Sequence, residues 1–261
     1  MKDQRSWLRR ILKPFVPHAI QPTQIYLRQL RRESKNRVVL GPFKGMRYVE
    51  DAVGSTVQPK LLGIYERELW ETVEKACKID FDTIIDIGAA EGYYCIGLAL
   101  RIPKAHNIAF EMESAGQQLI KQMASLNDVA SRVDIRGRCE IDDLKAALPQ
   151  GGRCLVICDV EGYEEVLMDP AKLPALRSTH LLVELHDLFV PNVTETIRGR
   201  FSATHDINVI HTADRSTDEF PYKSLFRTLT PKSWLIPMVF EYRQAPMKWF
   251  WMTPRTAMLP D

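Results

Sequence analysis

From Thr83 onward, short apolar runs alternate with longer stretches in which apolar positions follow helical spacing. Short apolar runs predict buried β-strands, and the stretches between them predict helices. The predicted strands are Thr83–Ile87, Asn107–Glu111, Arg132–Ile135, Cys154–Asp159, His180–Leu185 and Ile207–His211, with a last strand at Trp249–Met252. Because strands and helices alternate, we expect an α/β fold on a mostly parallel sheet, with an antiparallel last strand.

Upstream of the first predicted strand, the pattern favours helices. A helix is predicted from Leu62 to Lys78, because its apolar residues fall largely on one side. Nearer the N-terminus, a short helix at Thr23–Arg32 and a small hairpin around Gly41-Pro42 are predicted. We therefore divide the chain into an N-terminal helical and hairpin extension, residues 1–60, and one large domain, residues 61–261.

One late stretch, Thr212–Pro246, has no clear pattern. Proline removes a backbone donor and clashes with the preceding turn of a helix. The prolines that argue against helices here are Pro221, Pro231, Pro237 and Pro246.

The composition is that of an ordinary globular protein. Of the 261 residues, 45% are hydrophobic and 26% are charged, which suits one large α/β domain with extensions. No apolar run approaches the roughly 18 residues that span a bilayer, and no signal peptide is visible. The cysteines show no C-x-x-C or zinc-type spacing, so we expect reduced thiols and a cytoplasmic protein.

Positive charge is concentrated at the N-terminus. Residues 1–47 contain 12 Lys and Arg residues against Asp3 and Glu33, a net charge of +10, which leaves −8 for the rest of a chain of net charge +2. The segment also carries an apolar helical stripe, which is made up of Trp7, Leu8, Ile11, Leu12 and Phe15. The stripe and the charge predict either a packed extension with a solvated basic face or weak docking of residues 1–35 to an anionic membrane surface. We expect no nucleic-acid partner, and the sequence leaves the oligomeric state open.

A glycine-containing loop, Asp86-Ile87-Gly88-Ala89-Ala90-Glu91-Gly92, follows the first predicted strand and leads into a helix at Tyr93-Tyr94. A strand, loop and helix in this order place a small cofactor at the carboxyl end of a parallel strand, as in Rossmann-like folds. Asp86 and Glu91 would repel the pyrophosphate of a dinucleotide, whereas the ammonium and sulfonium of S-adenosylmethionine would be attracted. The loop therefore predicts S-adenosylmethionine as the cofactor. The predicted contacts in the loop are Asp86, Gly88, Ala90, Glu91, Gly92 and Tyr94.

A second acid follows at the end of the next strand. Glu111 lies 25 residues after Asp86, near the roughly 20-residue spacing at which a carboxylate meets ribose hydroxyls in such folds. An exposed strand-end glutamate facing the next helix is the alternative. After the glycine loop we favour the ribose contact, with Met112 beside it. Gly88→Val is predicted to abolish cofactor binding and to leave the fold intact, because the new side chain would collide with the ligand.

Acids and a histidine follow the fourth and fifth predicted strands. Asp159 and Glu161 come after one apolar run, and Glu184 and His186 end the other. Ligands of open α/β sheets bind at the carboxyl ends of strands where the strand order reverses, so we expect Asp159, Glu161, Glu184 and His186 to converge on the sulfonium. Asp159 and Glu161 are predicted cofactor contacts, and Asp159, Glu184 and His186 are predicted to surround the acceptor hydroxyl.

Transfer of a methyl group to a hydroxyl needs a general base. His186 is the first choice, because its ordinary pKa lies nearest neutrality, and Asp159 is the second. A strand-end histidine bonded to backbone is the alternative for His186. Asp159 and Glu184 could instead hold Mg²⁺, but the sequence shows no clear third ligand, so no metal is expected.

Together these segments resemble a known family. Four stretches occur in the order typical of FkbM-type S-adenosylmethionine-dependent methyltransferases: Asp86–Tyr94, Phe110-Glu111, Cys158–Glu164 and Leu182–His186. The third contains an intact Asp-Val-Glu-Gly at Asp159–Gly162. The resemblance covers about residues 60–190 and implies a Rossmann-like class I methyltransferase sheet. It also implies O-methylation, often of a sugar, a glycan or a natural product.

The chain departs from the family at two positions. Glu91 stands where the family usually has Asn, and Met112 stands where it usually has Pro.

Two other function classes are considered. A nicotinamide-dependent oxidoreductase on a similar sheet is disfavoured by Glu91 and by the lack of a Tyr-x-x-x-Lys pair, and the other class is a non-catalytic cofactor-binding module that docks to an anionic surface.

Overall fold

The computed structural model describes residues 22–52, 56–220, 232–241 and 247–255. The helices in these ranges are α1 (Pro22–Ser34), α2 (Val57–Leu62), α3 (Trp70–Ala76), α4 (Tyr93–Arg101), α5 (Ser114–Leu126), α6 (Ile141–Ala147), α7 (Glu164–Leu167), α8 (Val193–Phe201) and α9 (Lys232–Val239). Short 3₁₀ turns lie at Arg67–Leu69, Ala130–Arg132, Pro174–Ser178 and Thr217–Glu219. The strands are β1 (Thr83–Ile87), β2 (His106–Phe110), β3 (Val133–Arg136), β4 (Cys154–Cys158), β5 (His180–Leu185), β6 (His205–His211) and β7 (Lys248–Pro254).

The seven strands form one sheet in the order β3-β2-β1-β4-β5-β7-β6. Strand β7 pairs antiparallel with both β5 and β6, and the other pairings are parallel. The predicted α/β fold, with its mostly parallel sheet and antiparallel last strand, is therefore confirmed. The strand order reverses between β1 and β4, and ligands of open α/β sheets bind beyond the carboxyl ends of the strands at such a point.

Alternating strand residues feed two apolar layers, one on each face of the sheet. In β1, Ile84 belongs to the layer that contains Leu30 of α1, Ile96 of α4 and Ile120 of α5. Ile85 and Ile87 belong to the opposite layer with residues of α6, α7 and α8. Because successive side chains of a strand point to opposite faces, a strand buried on both sides is mostly apolar. β4 is apolar throughout, and β1 carries the buried Asp86 near its end.

The region before β1 differs from the prediction. The expected helix from Leu62 to Lys78 is wrong: α2 ends at Gly63, whose φ is +78°, and α3 begins only at Trp70. Glu66, between the two helices, also has a left-handed backbone, with a φ of +47°. Gly63 could not carry a side chain, because a Cβ would lie 2.0 Å from the carbonyl oxygen of Leu40.

Two further predictions of local structure are corrected. The expected hairpin is reduced to a single antiparallel bridge between Arg37 and Arg47. Pro237 lies inside α9 rather than interrupting a helix before it forms. The predicted helix at Thr23–Arg32 is confirmed as α1, and the five cysteines are unpaired.

The predicted N-terminal extension packs on the same core as the sheet. Tyr26, Leu30 and Met46 are buried with Leu61, and the proposed boundary at residue 60 falls inside α2. The apolar stripe from Trp7 to Phe15 lies outside the described residues, so its structure stays a prediction. None of the helices in the described ranges is long and apolar enough to cross a membrane.

Candidate functional site

A cavity of about 610 Å³ opens at the carboxyl ends of β1, β2, β4 and β5. Eight of the predicted site residues line it: Gly88, Ala90, Glu111, Met112, Asp159, Glu161, Glu184 and His186. Lys60, Tyr65, Arg138, Cys139, Phe189 and Glu241 also line it and were not predicted. Tyr65 lies in Leu61–Leu69, a segment that resembles the one before the cofactor loop in the family, but it was assigned no role. The other five lie outside the recognised motifs, so spacing in the sequence gave no signal for them.

Gly88 allows the first and fourth strands to end side by side. Its amide donates to the carbonyl oxygen of Phe110 at 3.0 Å, and its φ is +84°. A Cβ at this position would lie 1.8 Å from the carbonyl oxygen of Asp159. A side chain there would therefore collide with the protein's own backbone before it reached a ligand, which contradicts the prediction that Gly88→Val leaves the fold intact.

Glu111 joins the glycine loop to the end of β2. Its carboxylate accepts hydrogen bonds from the amides of Ala90 and Glu113, each at 2.8 Å. Ala90 has a left-handed backbone, with a φ of +49°, a conformation that is costly for a residue with a Cβ. The pairing fixes the loop against β2 and leaves each carboxylate oxygen a second lone pair for a ligand hydroxyl.

Glu91 does not face the cavity. Its side chain is fully buried, and its carboxylate accepts from the ammonium of Lys60 and the hydroxyl of Tyr48. The neighbouring carboxylate raises the pKa of Tyr48 well above its ordinary value, in addition to the larger effect of burial. The negative charge of Glu91 is therefore compensated inside the protein, and it is not a charge that a pyrophosphate would meet.

Asp86 is also turned toward the protein. Its carboxylate accepts from the amide of Cys95 at 2.9 Å, which ties β1 to the first turn of α4. Burial raises the pKa of Asp86 to about 7, and the charges of Asp159, Glu111 and Glu66 add to the rise. Asp86 and Glu91 therefore do not repel a pyrophosphate directly, contrary to the prediction, although both residues support the loop.

Two other predicted contacts, Gly92 and Tyr94, do not line the cavity. Gly92 begins α4 with a φ of +90°. The Tyr94 hydroxyl donates to Glu66, which precedes the 3₁₀ turn before α3. Direct contact of these residues with a cofactor stays a prediction, and their observed contacts are structural.

Asp159, Glu184 and His186 converge at the ends of β4 and β5, as predicted. Nε2 of His186 lies 3.6 Å from Oδ1 of Asp159 and 3.7 Å from Oε2 of Glu184. The side chains of Glu184 and His186 are buried, whereas that of Asp159 is 33% exposed toward the cavity. The cluster combines two carboxylates and an imidazole, and its atoms could accept a proton or hold a cation.

His186 is held from behind by Glu164, a residue of the family motif to which no role was assigned from the sequence. One oxygen of Glu164 accepts from Nδ1 of His186 at 2.7 Å and from the backbone amide of His186 at 2.9 Å. The other oxygen accepts from the amide of Gly162 at 2.7 Å. Burial alone would lower the pKa of His186, but the hydrogen bond and charge of Glu164, with the charges of Asp159 and Glu161, raise it above its ordinary value.

Acidic residues dominate the described lining of the cavity. Three lining residues are basic, and two of them form ion pairs directed away from the cavity: Lys60 with Glu91, and Arg138 with Glu140 at 2.6 Å. The third is His186. The acidic lining residues are Glu111, Glu113, Asp159, Glu161, Glu184 and Glu241. Of these, Glu241 is paired with Arg215 at 2.6 Å. Such a cavity favours a cationic ligand over an anionic one.

The expectation that no metal binds depended on the lack of a third ligand. In the structure, each of Asp159, Glu184 and His186 has one potential ligand atom that lies within 4.8 Å of those of the other two. His186 therefore supplies the group that the sequence did not reveal.

No protein-family profile matches the chain, and no curated protein matches its sequence. Similar solved structures include a precorrin-6Y C5,15-methyltransferase of Geobacter metallireducens, 13% identical, which covers 70% of this chain and 86% of its own, with a TM-score of 0.48. TYW2 of P. horikoshii, solved in complex with MeSAdo, is 14% identical over 80% of this chain and 68% of its own, with a TM-score of 0.47. A SAM-dependent O-methyltransferase of Thermotoga maritima is 15% identical over 70% of this chain and 63% of its own, with a TM-score of 0.44. These likenesses are distant, so function must be inferred from the site itself.

Proposed function

We propose that this protein is an S-adenosylmethionine-dependent methyltransferase of the FkbM type that methylates a hydroxyl group of a sugar, a glycan or a natural product. The observation that carries the proposal is the acidic cavity at the point where the strand order reverses. There, Gly88 and Glu111 shape the cofactor side, and Asp159, Glu184 and His186 shape the acceptor side.

The charge of the cavity supports this cofactor. S-adenosylmethionine carries a sulfonium and an ammonium against one carboxylate, so it is a net cation beside Asp159, Glu161 and Glu184. A nicotinamide dinucleotide would bring a pyrophosphate into the same acidic surroundings, where its charge is disfavoured. The acids that line the cavity, rather than Asp86 and Glu91, therefore support S-adenosylmethionine over a dinucleotide as the cofactor.

Glu111 is the proposed ribose contact. Its carboxylate is fixed by two backbone amides and still has lone pairs for two neighbouring hydroxyls. Met112, 64% exposed, and Arg138 lie beyond it and offer surfaces for the adenine. The methionine end of the cofactor then lies toward Gly88 and Asp159.

The reaction is a displacement at the methyl carbon. The acceptor oxygen forms the new O–C bond while the C–S bond breaks, and the sulfonium becomes the neutral thioether of S-adenosylhomocysteine. The hydroxyl proton passes to the cluster, where His186 and Asp159 are the candidate acceptors. The cluster also fixes the oxygen in line with the C–S bond, and such positioning accounts for much of the rate enhancement in reactions of this kind.

Calorimetry with S-adenosylmethionine and with NAD tests the cofactor assignment. We expect saturable binding of the first and none of the second. Glu111→Gln should weaken binding about 10- to 100-fold, because an amide cannot accept from both backbone amides and both hydroxyls. Glu165→Gln removes the same charge from α7 away from the cavity and is the matched control. Binding of NAD instead, or unchanged affinity in Glu111→Gln, would contradict the proposal.

The acceptor class is proposed from the family resemblance and is tested by turnover. Candidate sugars and natural products are screened for formation of S-adenosylhomocysteine and for a mass gain on the acceptor oxygen. Binding of the cofactor without turnover on any hydroxyl acceptor would favour the non-catalytic module.

A further inference from the structure

We propose that Asp159, Glu184 and His186 bind a divalent metal ion at the acceptor end of the cavity. The inference depends on the proposed function for the ion's chemical role, but the ion-binding site itself is argued from geometry alone. It goes beyond the sequence, which indicated no metal because only two ligands were visible.

The distances within the cluster fit a shared ion better than direct hydrogen bonds. Nε2 of His186 lies 3.6 Å from Asp159 Oδ1 and 3.7 Å from Glu184 Oε2, and hydrogen bonds of this type are about 2.7–3.2 Å long. Two atoms that are each about 2.1 Å from one metal ion lie about 3.0 Å apart at a right angle and about 4.2 Å apart in line. Both observed distances fall inside that interval.

His186 directs Nε2 into the cluster from a largely buried side chain. Its side chain is 4% exposed, and within the described part of the chain Nε2 makes no hydrogen bond. A metal ion would satisfy the lone pair of Nε2 and would also neutralise the two carboxylates opposite it.

Glu164 gives the histidine the support that is typical of a metal ligand. Metal-binding histidines almost always donate their other ring N–H to a carboxylate or a carbonyl, which fixes the tautomer. Glu164 accepts from Nδ1 of His186 at 2.7 Å and has no exposed surface. Because Glu164 is not a ligand itself, this contact distinguishes a built site from a chance group of acids.

The ligand set suggests the type of ion. Imidazole suits Zn²⁺ and Fe²⁺, carboxylates suit Mg²⁺ and Mn²⁺, and Mn²⁺ accepts both kinds of ligand. Three protein ligands leave positions open for the acceptor hydroxyl, whose pKa a bound metal ion lowers. In that state His186 is a ligand, the hydroxyl proton passes to the second carboxylate oxygen of Asp159, and the methyl transfer proceeds as described above.

Binding of Mn²⁺ to the purified full-length protein tests the proposal without the need for an acceptor. Electron paramagnetic resonance measures how much Mn²⁺ is bound. Electron spin echo envelope modulation of the bound ion reveals whether a ¹⁴N nucleus coordinates it. We expect one ion per chain with ¹⁴N coupling. His186→Gln should abolish the coupling and weaken binding at least about 10-fold, Glu164→Gln should weaken it about 10- to 100-fold, and Glu165→Gln should bind as the wild type does. Asp159→Asn, at a partly exposed position, gives the same test if the variants at buried positions fail to fold.

Two results would overturn the inference: no saturable binding up to about 1 mM Mn²⁺, or wild-type affinity and ¹⁴N coupling in His186→Gln. Calorimetry with S-adenosylmethionine on the same samples separates this failure from failure of the proposed function. Cofactor binding without Mn²⁺ binding removes the metal site and leaves the methyltransferase. Mn²⁺ binding without cofactor binding would leave the metal site and remove the proposed methyltransferase function.

Discussion

Replacing Lys60 with Met should destabilise the protein strongly, because it removes the ammonium that compensates the buried carboxylate of Glu91. The two side chains are 4% and 0% exposed. At contact distance, with an effective dielectric constant of about 20, their attraction is about 5 kcal/mol, and burying two ions costs several kcal/mol each. The intact pair therefore contributes little net stability, whereas breaking it costs about 3–5 kcal/mol.

Urea unfolding followed by tryptophan fluorescence measures this cost, and a double-mutant cycle isolates the pair. Lys60→Met alone should lower the free energy of unfolding by about 3–5 kcal/mol, and Lys60→Met with Glu91→Gln should recover about 2 kcal/mol or more of it. Lys75→Met is the control, because its partner Glu71 is 81% exposed and such surface pairs contribute little to stability.

The same variants decide whether Glu91 contacts the cofactor. In the structure its charge is paired with Lys60, so the double variant should bind S-adenosylmethionine within about threefold of the wild type. Because Lys60 lines the cavity, a loss of tenfold or more in the folded double variant that Lys60→Met alone does not show would restore Glu91 as a direct contact. A cost below about 1 kcal/mol for Lys60→Met, with no coupling to Glu91, would refute the argument that the buried pair is ionised.

Three further predictions concern other parts of the chain. Gly88→Ala should lower both the melting temperature and the affinity for S-adenosylmethionine, because its Cβ would lie 1.8 Å from the carbonyl oxygen of Asp159; Gly151→Ala, where a Cβ meets nothing within 4 Å, is the control. Burial and the charge of His205 lower the pKa of His180 to about 4, so stability present above pH 6.5 should be lost as the pH falls toward 4, by about 2–3 kcal/mol. His180→Phe should reduce the dependence of the free energy of unfolding on pH between 6.5 and 4, measured by urea unfolding at several pH values. An unchanged dependence in this variant would exclude His180 as its source. Replacing Arg9, Arg10 and Lys13 with Gln in the full chain should weaken binding to anionic vesicles at low salt, measured by sedimentation, by about 1 kcal/mol per residue. A wild-type protein that does not bind such vesicles would indicate a packed extension with a solvated basic face.

The fold was predictable because its strands are buried on both faces. Such strands are rich in apolar residues, so Thr83–Ile87 and His180–Leu185 were assigned with their observed bounds although each contains a charged residue. The helix expected at Leu62–Lys78 failed for a local reason. The close approach of Leu40 to Gly63 ends α2, and periodicity contains no information about a contact from another segment.

The candidate site was predictable in its position but not in the orientation of its acids. The motifs placed Asp86, Glu111 and Asp159 at the carboxyl ends of strands and Glu91 in the loop after the first of them, and the structure has them there. The direction in which each carboxylate points depends on partners that are distant in sequence. Lys60, which holds Glu91, lies 31 residues before it and belongs to no motif.

The acids of the motifs therefore divide into two groups by what their oxygens contact. Asp86, Glu91 and Glu164 accept from groups of the protein that hold the loop, the first turn of α4 and the His186 ring in place. Glu111 and Asp159 keep lone pairs on the side of the cavity. Neutralising an acid of the first group should change stability, or for Glu164 metal affinity, before it changes cofactor affinity. Neutralising Glu111 should change cofactor affinity first, and neutralising Asp159 should weaken both cofactor and metal binding. The first group therefore positions the loop, α4 and the His186 ring around the cavity, and the second group supplies negative charge that attracts a cationic ligand.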